Sequence, residues 1–353
     1  MVQERRRAIQ VRSIRGLVAW TIAYRPAPSD GGQPVAEPYS ARINPGGPME
    51  SSPLRRDSER DYRGVISDNR RWKRFVHRPG DIFVCSPPKC GTTWTQTIVV
   101  TLLFQPGDPP APVMSLAPWL DARFNPIEDL VANLNSQPHR RSIKTHTPAD
   151  GIPWYPDASY IVVARDGRDA FMSLLNHMRS MRPDVVSSLA ASAVAEGIPL
   201  GEGGVPPIDD VHAFYAWWLQ YGPWFNHLTT FWAHRDEANV LFVHYDDLNA
   251  DLAGEMRRIA RFLGIAVAKT DWPRLVERCT FASMKSRAEE IGDFERIFQG
   301  GAESFLYKGT NGRWRDVLTL DELAQFEKAA LERLPPSALS WINRGMQART
   351  ETA

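Results

Sequence analysis

The clearest structural signal in this 353-residue chain is the sequence PPKCGTTWTQ, Pro87 to Gln96. It follows a short apolar run and precedes an apolar run with helical spacing, so the sequence predicts a buried strand, a loop and a helix. A lysine, a glycine and two threonines at the start of a helix are typical of a phosphate-binding loop. The common nucleoside triphosphate loop has its lysine after the last glycine, whereas Lys89 precedes Gly91. The motif alone therefore leaves open which phosphate the loop binds.

Further strands and helices alternate along the chain. Short buried strands are predicted at Ser142 to Lys144, Tyr160 to Ala164 and Val240 to His244, and the last two are each followed by a helix. This alternation predicts an α/β fold of three layers, with helices on both faces of a central, mainly parallel sheet and a P-loop-like phosphate loop after the first core strand. Ligands of such sheets bind at the carboxyl ends of the strands.

The remaining segments are interpreted as follows. Residues 25–57 are rich in Pro, Gly and Ser, and residues 1–60 are predicted to be disordered, or to be an extension from a start assigned too early. Residues 61–345 are expected to form a single domain with a mobile excursion at about 182–210. The run FYAWWLQYGPWFNHLTTFW (214–232) is interpreted as an aromatic helix, and residues 139–141 as a solvated basic edge.

Composition excludes several classes of function. The formal net charge is +1, so the chain has no overall field that would attract nucleic acid. Three sparse cysteines make a disulfide framework and a cysteine zinc site unexpected, and fit a reducing cytoplasm. The apolar run from Gly16 to Tyr24 is far shorter than the ~20 residues of a membrane span. Stable membrane insertion is therefore not expected, and a cytoplasmic location is predicted.

Four motifs at predicted strand ends offer groups to an anion. The alternation of an extended segment places two of these groups, a lysine and a histidine, on the same side. The groups are, in chain order, Lys89, Thr92, Thr93 and Trp94; Lys144 and His146; Arg165 and Ser173; and Lys308, Gly309, Gly312, Arg313 and Arg315. An arginine and a serine together suit a second phosphate. Two anion sites and a stacking tryptophan describe a nucleotide with phosphates at both ends.

In these motifs the sequence resembles the cytosolic-type sulfotransferases that use 3′-phosphoadenosine 5′-phosphosulfate (PAPS). PPKCGTTW, KTHTP, the Arg-to-Ser spacing, VLFVHYDDL, CTFASMK and FLYKGTNGRW follow each other in family order. The resemblance implies that His146 is the catalytic base, with Lys89 and Lys144 as the other catalytic residues. It implies binding of PAPS, and of the product adenosine 3′,5′-bisphosphate, by Lys89, Cys90, Gly91, Thr92, Thr93, Trp94, Arg165, Ser173, Tyr245, Cys279, Thr280, Phe281, Met284, Tyr307, Lys308 and Gly309.

Two positions depart from the family pattern. Cys90 replaces a serine, at a position that can contribute its backbone N–H. Tyr307 replaces the usual arginine, which removes a charged donor from the 3′-phosphate, and Arg313 replaces an acidic residue in the same loop and is the candidate to compensate. A narrower similarity, in APWLD and HRRSIKTHTPADGI, is to actinobacterial sulfotransferases, including mycobacterial glycolipid-type ones.

The predicted function is in-line transfer of a sulfuryl group from PAPS to an acceptor hydroxyl, with His146 as general base. No metal is expected, because the lysines and the helix N-terminus supply the positive field. Aromatic residues in SLAPWLDARF (115–124) favour a lipid-like, phenolic or steroid-like acceptor. The alternatives are a P-loop kinase or other ATP-dependent phosphotransferase, and a catalytically silent nucleotide-binding homologue. RDVLTLDELAQF partly resembles the family's dimer segment, so a homodimer is possible.

Overall fold

The computed structural model describes residues 56–198 and 206–350, with side chains described up to residue 344. The predicted extension therefore lies almost wholly outside the described residues. The strands are β1 (Ile82–Cys85), β2 (Ser142–Thr145), β3 (Ser159–Ala164) and β4 (Val240–His244). The helices are α1 (Thr92–Phe104), α2 (Val113–Leu116), α3 (Ile127–Ser136), α4 (Gly167–Ser180), α5 (Pro183–Ala195), α6 (Val211–Tyr221), α7 (Trp224–Trp232), α8 (Tyr245–Ala250), α9 (Leu252–Phe262), α10 (Trp272–Arg278), α11 (Phe281–Ser286), α12 (Gly301–Phe305), α13 (Leu320–Arg333) and α14 (Pro336–Thr350). Short 3₁₀ turns occupy Asn69–Arg74, Ala149–Gly151, Ala288–Glu290 and Arg313–Asp316.

The four strands form one parallel sheet in the order β2-β1-β3-β4. Successive side chains of a strand point to opposite faces, and each face packs on its own core. In β1, Ile82 and Val84 enter one hydrophobic cluster, whereas Phe83 and Cys85 enter the other. Both faces are thus covered by helices, as the alternating pattern predicted, and the α/β prediction is confirmed.

The prediction of a solvated basic edge at residues 139–141 is wrong. Arg141 is fully buried and donates two hydrogen bonds to the carboxylate of Asp81, at 2.8 and 2.6 Å. Arg140 donates to the carbonyl oxygens of Gly80 and Leu263. The two guanidinium groups donate to acceptors at the amino end of the sheet. The sequence alone does not distinguish an arginine buried in this way from one exposed to solvent.

Two segments of helix also differ from expectation. The aromatic run forms two helices, α6 and α7, because Gly222 caps the first and Pro223 opens the second. A regular helix, α5, occupies Pro183–Ala195 within the expected excursion. Its alanines favour helix, and Val186, Leu189, Ala190 and Ala193 bury one face. Mobility of this segment stays a prediction, and residues 199–205 lie outside the described residues.

Candidate active site

The carboxyl ends of all four strands meet at one edge of the sheet. Cys85 pairs in register with Thr145, and Ala164 with His244. The residues that follow the strands therefore start from neighbouring points, although they are far apart in the chain. This edge is where an open α/β sheet binds its ligands.

The loop after β1 leads into the N-terminus of α1. Lys89 and Gly91 both have positive φ, 69° and 101°, and Gly91 is the N-cap of α1 without a side-chain cap bond. A Cβ on Gly91 would lie 2.8 Å from Cδ2 of Tyr245, so only glycine fits there. The loop thus presents the N–H groups of the first helical turn, beginning at Thr92 and Thr93, to an anion.

Lys89 is held against two aromatic side chains. Its Nζ lies 3.1 Å from Nδ1 of His177 and 4.3 Å from the ring centre of Phe305. Burial, and then the positive charges of Lys144 and Arg165, lower the pKa of Lys89 to about 7. The amine of Lys89 is therefore expected to gain a proton when an anion binds beside it. His177 was missed in the sequence, although it lies four residues after Ser173 on the same helix, a spacing that puts both on one face.

Lys144 and His146 flank the end of β2, as the extended pattern of KTHTP predicts. The Nζ of Lys144 lies 4.4 Å from the ring centre of Trp119, and the His146 ring packs edge-on against the same indole at 4.7 Å. Burial lowers the pKa of Lys144 to about 8. Burial, and then Lys144, hold the pKa of His146 well below its ordinary value. The imidazole is therefore neutral around pH 7.

A backbone contact fixes the tautomer of His146. Its Nδ1 lies 2.8 Å from the carbonyl oxygen of Ser86, and a carbonyl oxygen can only accept, so Nδ1 carries the proton. Nε2 is then the nitrogen with the lone pair, which a general base needs.

A buried carboxylate lies beneath the other side of this segment. Asp121 accepts hydrogen bonds from the hydroxyls of Thr145 and Thr147, both at 2.6 Å, and from Nε1 of Trp72 at 3.0 Å. The threonines alternate with the lysine and the histidine, so Asp121 anchors the segment that presents His146. Asp121 belongs to the motif APWLD, from which no role was predicted for it.

Arg165 follows β3 and is 5% exposed. Its Nη2 donates to the carbonyl oxygen of Asp169 at 2.8 Å, and its guanidinium lies 4.7 Å from the ring centre of Tyr245. The next arginine, Arg168, makes a bidentate pair with Asp166 at 3.0 and 2.6 Å. Arg165, not Arg168, lines the cavity.

Aromatic side chains line the third side. Nε1 of Trp94 donates to the carbonyl oxygen of Cys279 at 2.7 Å, and its ring packs edge-on against Tyr245 at 5.5 Å. Phe281 and Met284 from α11 line the same space. These side chains leave an apolar slot beside the phosphate loop, and this slot suits a nucleobase.

Three predicted ligands do not reach the cavity with their side chains. Cys90 and Cys279 are fully buried, and burial raises the pKa of each thiol to about 12, so both are neutral. The Thr280 hydroxyl accepts from the N–H of Ser283 and caps α11. A contact through the backbone is the role that remains predicted for these residues.

All these elements surround one cavity of about 340 Å³. The predicted site residues that line it are Lys89, Gly91, Thr92, Thr93, Trp94, Lys144, His146, Arg165, Ser173, Tyr245, Phe281, Met284, Tyr307, Lys308 and Gly309. Its described wall carries six cationic side chains, Arg63, Lys89, Lys144, Arg165, Lys308 and Arg313, against a single carboxylate, Asp293. Such a surplus of cationic side chains in one cavity favours an anionic ligand.

The described residues contain neither a candidate metal site nor a candidate membrane span. In residues 56–198 and 206–350 no group of three or more His, Cys, Asp and Glu side chains is arranged to hold a metal ion. Over the same ranges no helix is both long and apolar enough to cross a membrane.

Comparison with known proteins agrees with the geometry. A glycolipid sulfotransferase of Mycobacterium tuberculosis is 36% identical over 312 residues, which is 80% of this chain and 94% of that protein. Cytosolic sulfotransferase 1 of Danio rerio is 26% identical over 74% of this chain and 85% of that protein. In fold, the chain is similar to mouse sulfotransferase SULT7A1 complexed with PAP, with a TM-score of 0.60 and 22% identity over 82% of this chain and 96% of that one.

The family profile of the Sulfotransferase domain matches residues 79–336. This match spans the phosphate loop, His146, Arg165 and the glycine-rich loop, and it decides against the kinase alternative. The chain belongs to the Sulfotransferase domain family.

Proposed function

We propose that the protein transfers the sulfuryl group of PAPS to a hydroxyl of an apolar acceptor, with His146 as general base. The observation that carries the proposal is one cavity in which a neutral histidine, two lysines and a phosphate loop lie beside an apolar wall. PAPS supplies an anionic sulfuryl group on a phosphate leaving group.

The chain's groups fit such a donor. The helix N-terminus and the hydroxyls of Thr92 and Thr93 would hold the 5′-phosphate, and Trp94 and Phe281 would enclose the base. Arg165 and Ser173, which follow a neighbouring strand, would hold a second phosphate. Binding an ion with several negative charges would offset the surplus of cations in the wall.

His146 is suited to accept the hydroxyl proton. Its low pKa keeps the ring neutral, and the bond to Ser86 leaves Nε2 as the accepting nitrogen. General-base catalysis of this kind contributes about 10²- to 10⁴-fold to a rate.

The lysines would neutralise charge that develops during transfer. Lys89 and Lys144 have pKa values of about 7 and about 8, and a bound polyanion stabilises the protonated form of each. His177 and Trp119 hold the two ammonium groups in place without neutralising them.

The acceptor is proposed to be a lipid-like, phenolic or steroid-like alcohol. The wall of the cavity away from the phosphate loop is mainly apolar, as expected for SLAPWLDARF, and the relative from M. tuberculosis is named for glycolipids. The apolar lining residues there include Ile66, Met114, Ala117, Pro118, Trp119, Phe124, Leu130, Phe294, Ile297 and Phe298.

An acceptor series with ³⁵S-labelled PAPS tests the proposal. Long-chain alcohols, phenols, sterols and glycolipids are compared with glucose, and products are identified by mass spectrometry. We expect label on an apolar acceptor and at least tenfold less on glucose. Equal labelling of glucose would contradict the acceptor class, and binding of adenosine 3′,5′-bisphosphate without turnover on any acceptor would support the silent homologue.

Location and assembly stay predictions. We infer a cytoplasmic enzyme, because PAPS is made there. The possible homodimer rests on the sequence segment that begins at Arg315 and includes Thr319.

A further inference from the structure

Two arginines from distant parts of the chain line the same cavity. Arg165 follows β3, whereas Arg313 belongs to the glycine-rich loop near the C-terminus. The Nε group of each is buried and has no hydrogen-bond partner among the described residues. Buried charged donors are nearly always paired in proteins, so the Nε–H group of each arginine is available to donate to a bound ligand.

The two positive charges are close enough to repel each other. Burial, and then the charge of Arg165, lower the pKa of Arg313. The carboxylate of Asp169 lies nearby, with its Oδ1 3.9 Å from Nη2 of Arg165. The same oxygen accepts a hydrogen bond from the backbone N–H of Gly312 at 2.6 Å, so it is already engaged. A doubly charged anion would relieve this surplus of charge.

The loop that carries Arg313 is fixed at several points. Asp169 binds the N–H of Gly312, and the side-chain amide of Asn311 donates to the carboxylate of Asp246. The hydroxyl of Tyr245 lies 3.4 Å from the carbonyl oxygen of Gly309. These contacts tie the loop to the ends of β3 and β4, so the approach of Arg313 to Arg165 is built into the fold.

We propose that Arg313 and Arg165 together bind the second phosphate of the donor nucleotide, on its 3′-oxygen. Arg313 takes the place of the guanidinium group that is absent at Tyr307, and the Tyr307 ring, 5.6 Å from Cζ of Arg313, packs beside it. The inference rests on the proposed function, because it assumes a nucleotide with a phosphate at each end. Arg313 would then distinguish a nucleotide with a phosphate at each end from a nucleotide that carries a 5′-phosphate alone.

A nearby arginine offers a matched control. Arg315 is two residues away in the same 3₁₀ turn, is exposed, and lies 4.5 Å from the ring centre of Trp314. It does not line the cavity. Arg315→Met therefore removes the same charge from the same turn without touching the proposed phosphate site.

The test compares adenosine 3′,5′-bisphosphate with adenosine 5′-monophosphate by isothermal titration calorimetry. We expect the wild-type protein to prefer the bisphosphate, and Arg313→Met to reduce this preference by about 10- to 100-fold, the effect of losing one charged hydrogen-bonding partner. The affinity for the monophosphate should change less than threefold, which also shows that the variant is folded. Arg315→Met should keep the wild-type preference.

A second substitution tests whether a guanidinium group from another position can replace that of Arg313. Tyr307→Arg in the Arg313→Met background places a guanidinium group back at the same site and should restore at least tenfold of the lost preference. An Arg313→Met variant that keeps the wild-type preference would overturn the inference while leaving the proposed function intact. A wild-type protein that does not distinguish the two nucleotides would overturn both.

Discussion

Proton uptake on donor binding follows from the lowered pKa values of the two active-site lysines. Without ligand, Lys89 has a pKa of about 7 and Lys144 of about 8. A polyanion bound against them raises both values, because it favours the charged form of each amine. Binding of adenosine 3′,5′-bisphosphate should therefore take up protons from the buffer.

The size of the effect depends on pH in a definite way. At pH 8, Lys89 is about 0.1 protonated and Lys144 about 0.5, so full protonation takes up about 1.4 protons. At pH 7 the corresponding uptake is about 0.6 protons. The second pKa of each phosphate of the ligand is about 6, so both phosphates are mostly in the doubly charged form at pH 7 and at pH 8. Uptake should thus increase as the pH rises from 7 to 8.

Calorimetry in buffers of different ionisation enthalpy measures this uptake directly. Lys89→Met should lower the uptake at pH 8 to about 0.5 protons, the share of Lys144. Arg315→Met, at an exposed arginine that does not line the cavity, should leave the wild-type value. A wild-type uptake that is zero at pH 8, or that decreases between pH 7 and pH 8, would show that the two lysines do not gain protons when the nucleotide binds.

Three further outcomes are expected. His146→Ala should lower kcat by about 10²- to 10⁴-fold, as measured with labelled PAPS, and change the affinity for adenosine 3′,5′-bisphosphate less than threefold; an unchanged kcat would be incompatible with its role as base. Gly91→Ala should abolish nucleotide binding in calorimetry, because a Cβ there would meet Tyr245 at 2.8 Å and the backbone φ of 101° disfavours alanine; wild-type affinity would show that the loop tolerates a side chain. Trp94→Phe should lower the free energy of unfolding by about 1–3 kcal/mol in urea titrations, because the carbonyl oxygen of Cys279 loses its buried donor, and a change below 0.5 kcal/mol (about the size of a surface substitution) would contradict this.

Local patterns were enough to predict the parts of the fold that position the site. The apolar run TTWTQTIVVTLLF coincides with helix α1, and Val240–His244 with strand β4. Their boundaries are marked by residues with strong local preferences, such as Gly91 before α1. The strand-end motifs then converge because parallel strands share one edge, which is a property of the topology and not of any single motif.

Features that depend on distant contacts could not be predicted. The burial of Arg141 is determined by Asp81, 60 residues earlier, and nothing in the surrounding basic residues indicates it. His177 is placed by its contact with Lys89, 88 residues earlier, and Asp121 by the hydrogen bonds that it accepts from Thr145 and Thr147. In each case a polar side chain is buried because its partner comes from another part of the chain.

Sulfuryl transfer from PAPS is measured by incubating the enzyme with ³⁵S-labelled PAPS and a long-chain or phenolic alcohol in the presence of EDTA, with γ-labelled ATP and magnesium as the parallel reaction. We expect one sulfated acceptor for each adenosine 3′,5′-bisphosphate released, loss of the sulfated acceptor in His146→Ala, and no phosphorylated acceptor from ATP. Phosphorylated acceptor from ATP, with no sulfated product from PAPS, would contradict the assignment as a sulfotransferase.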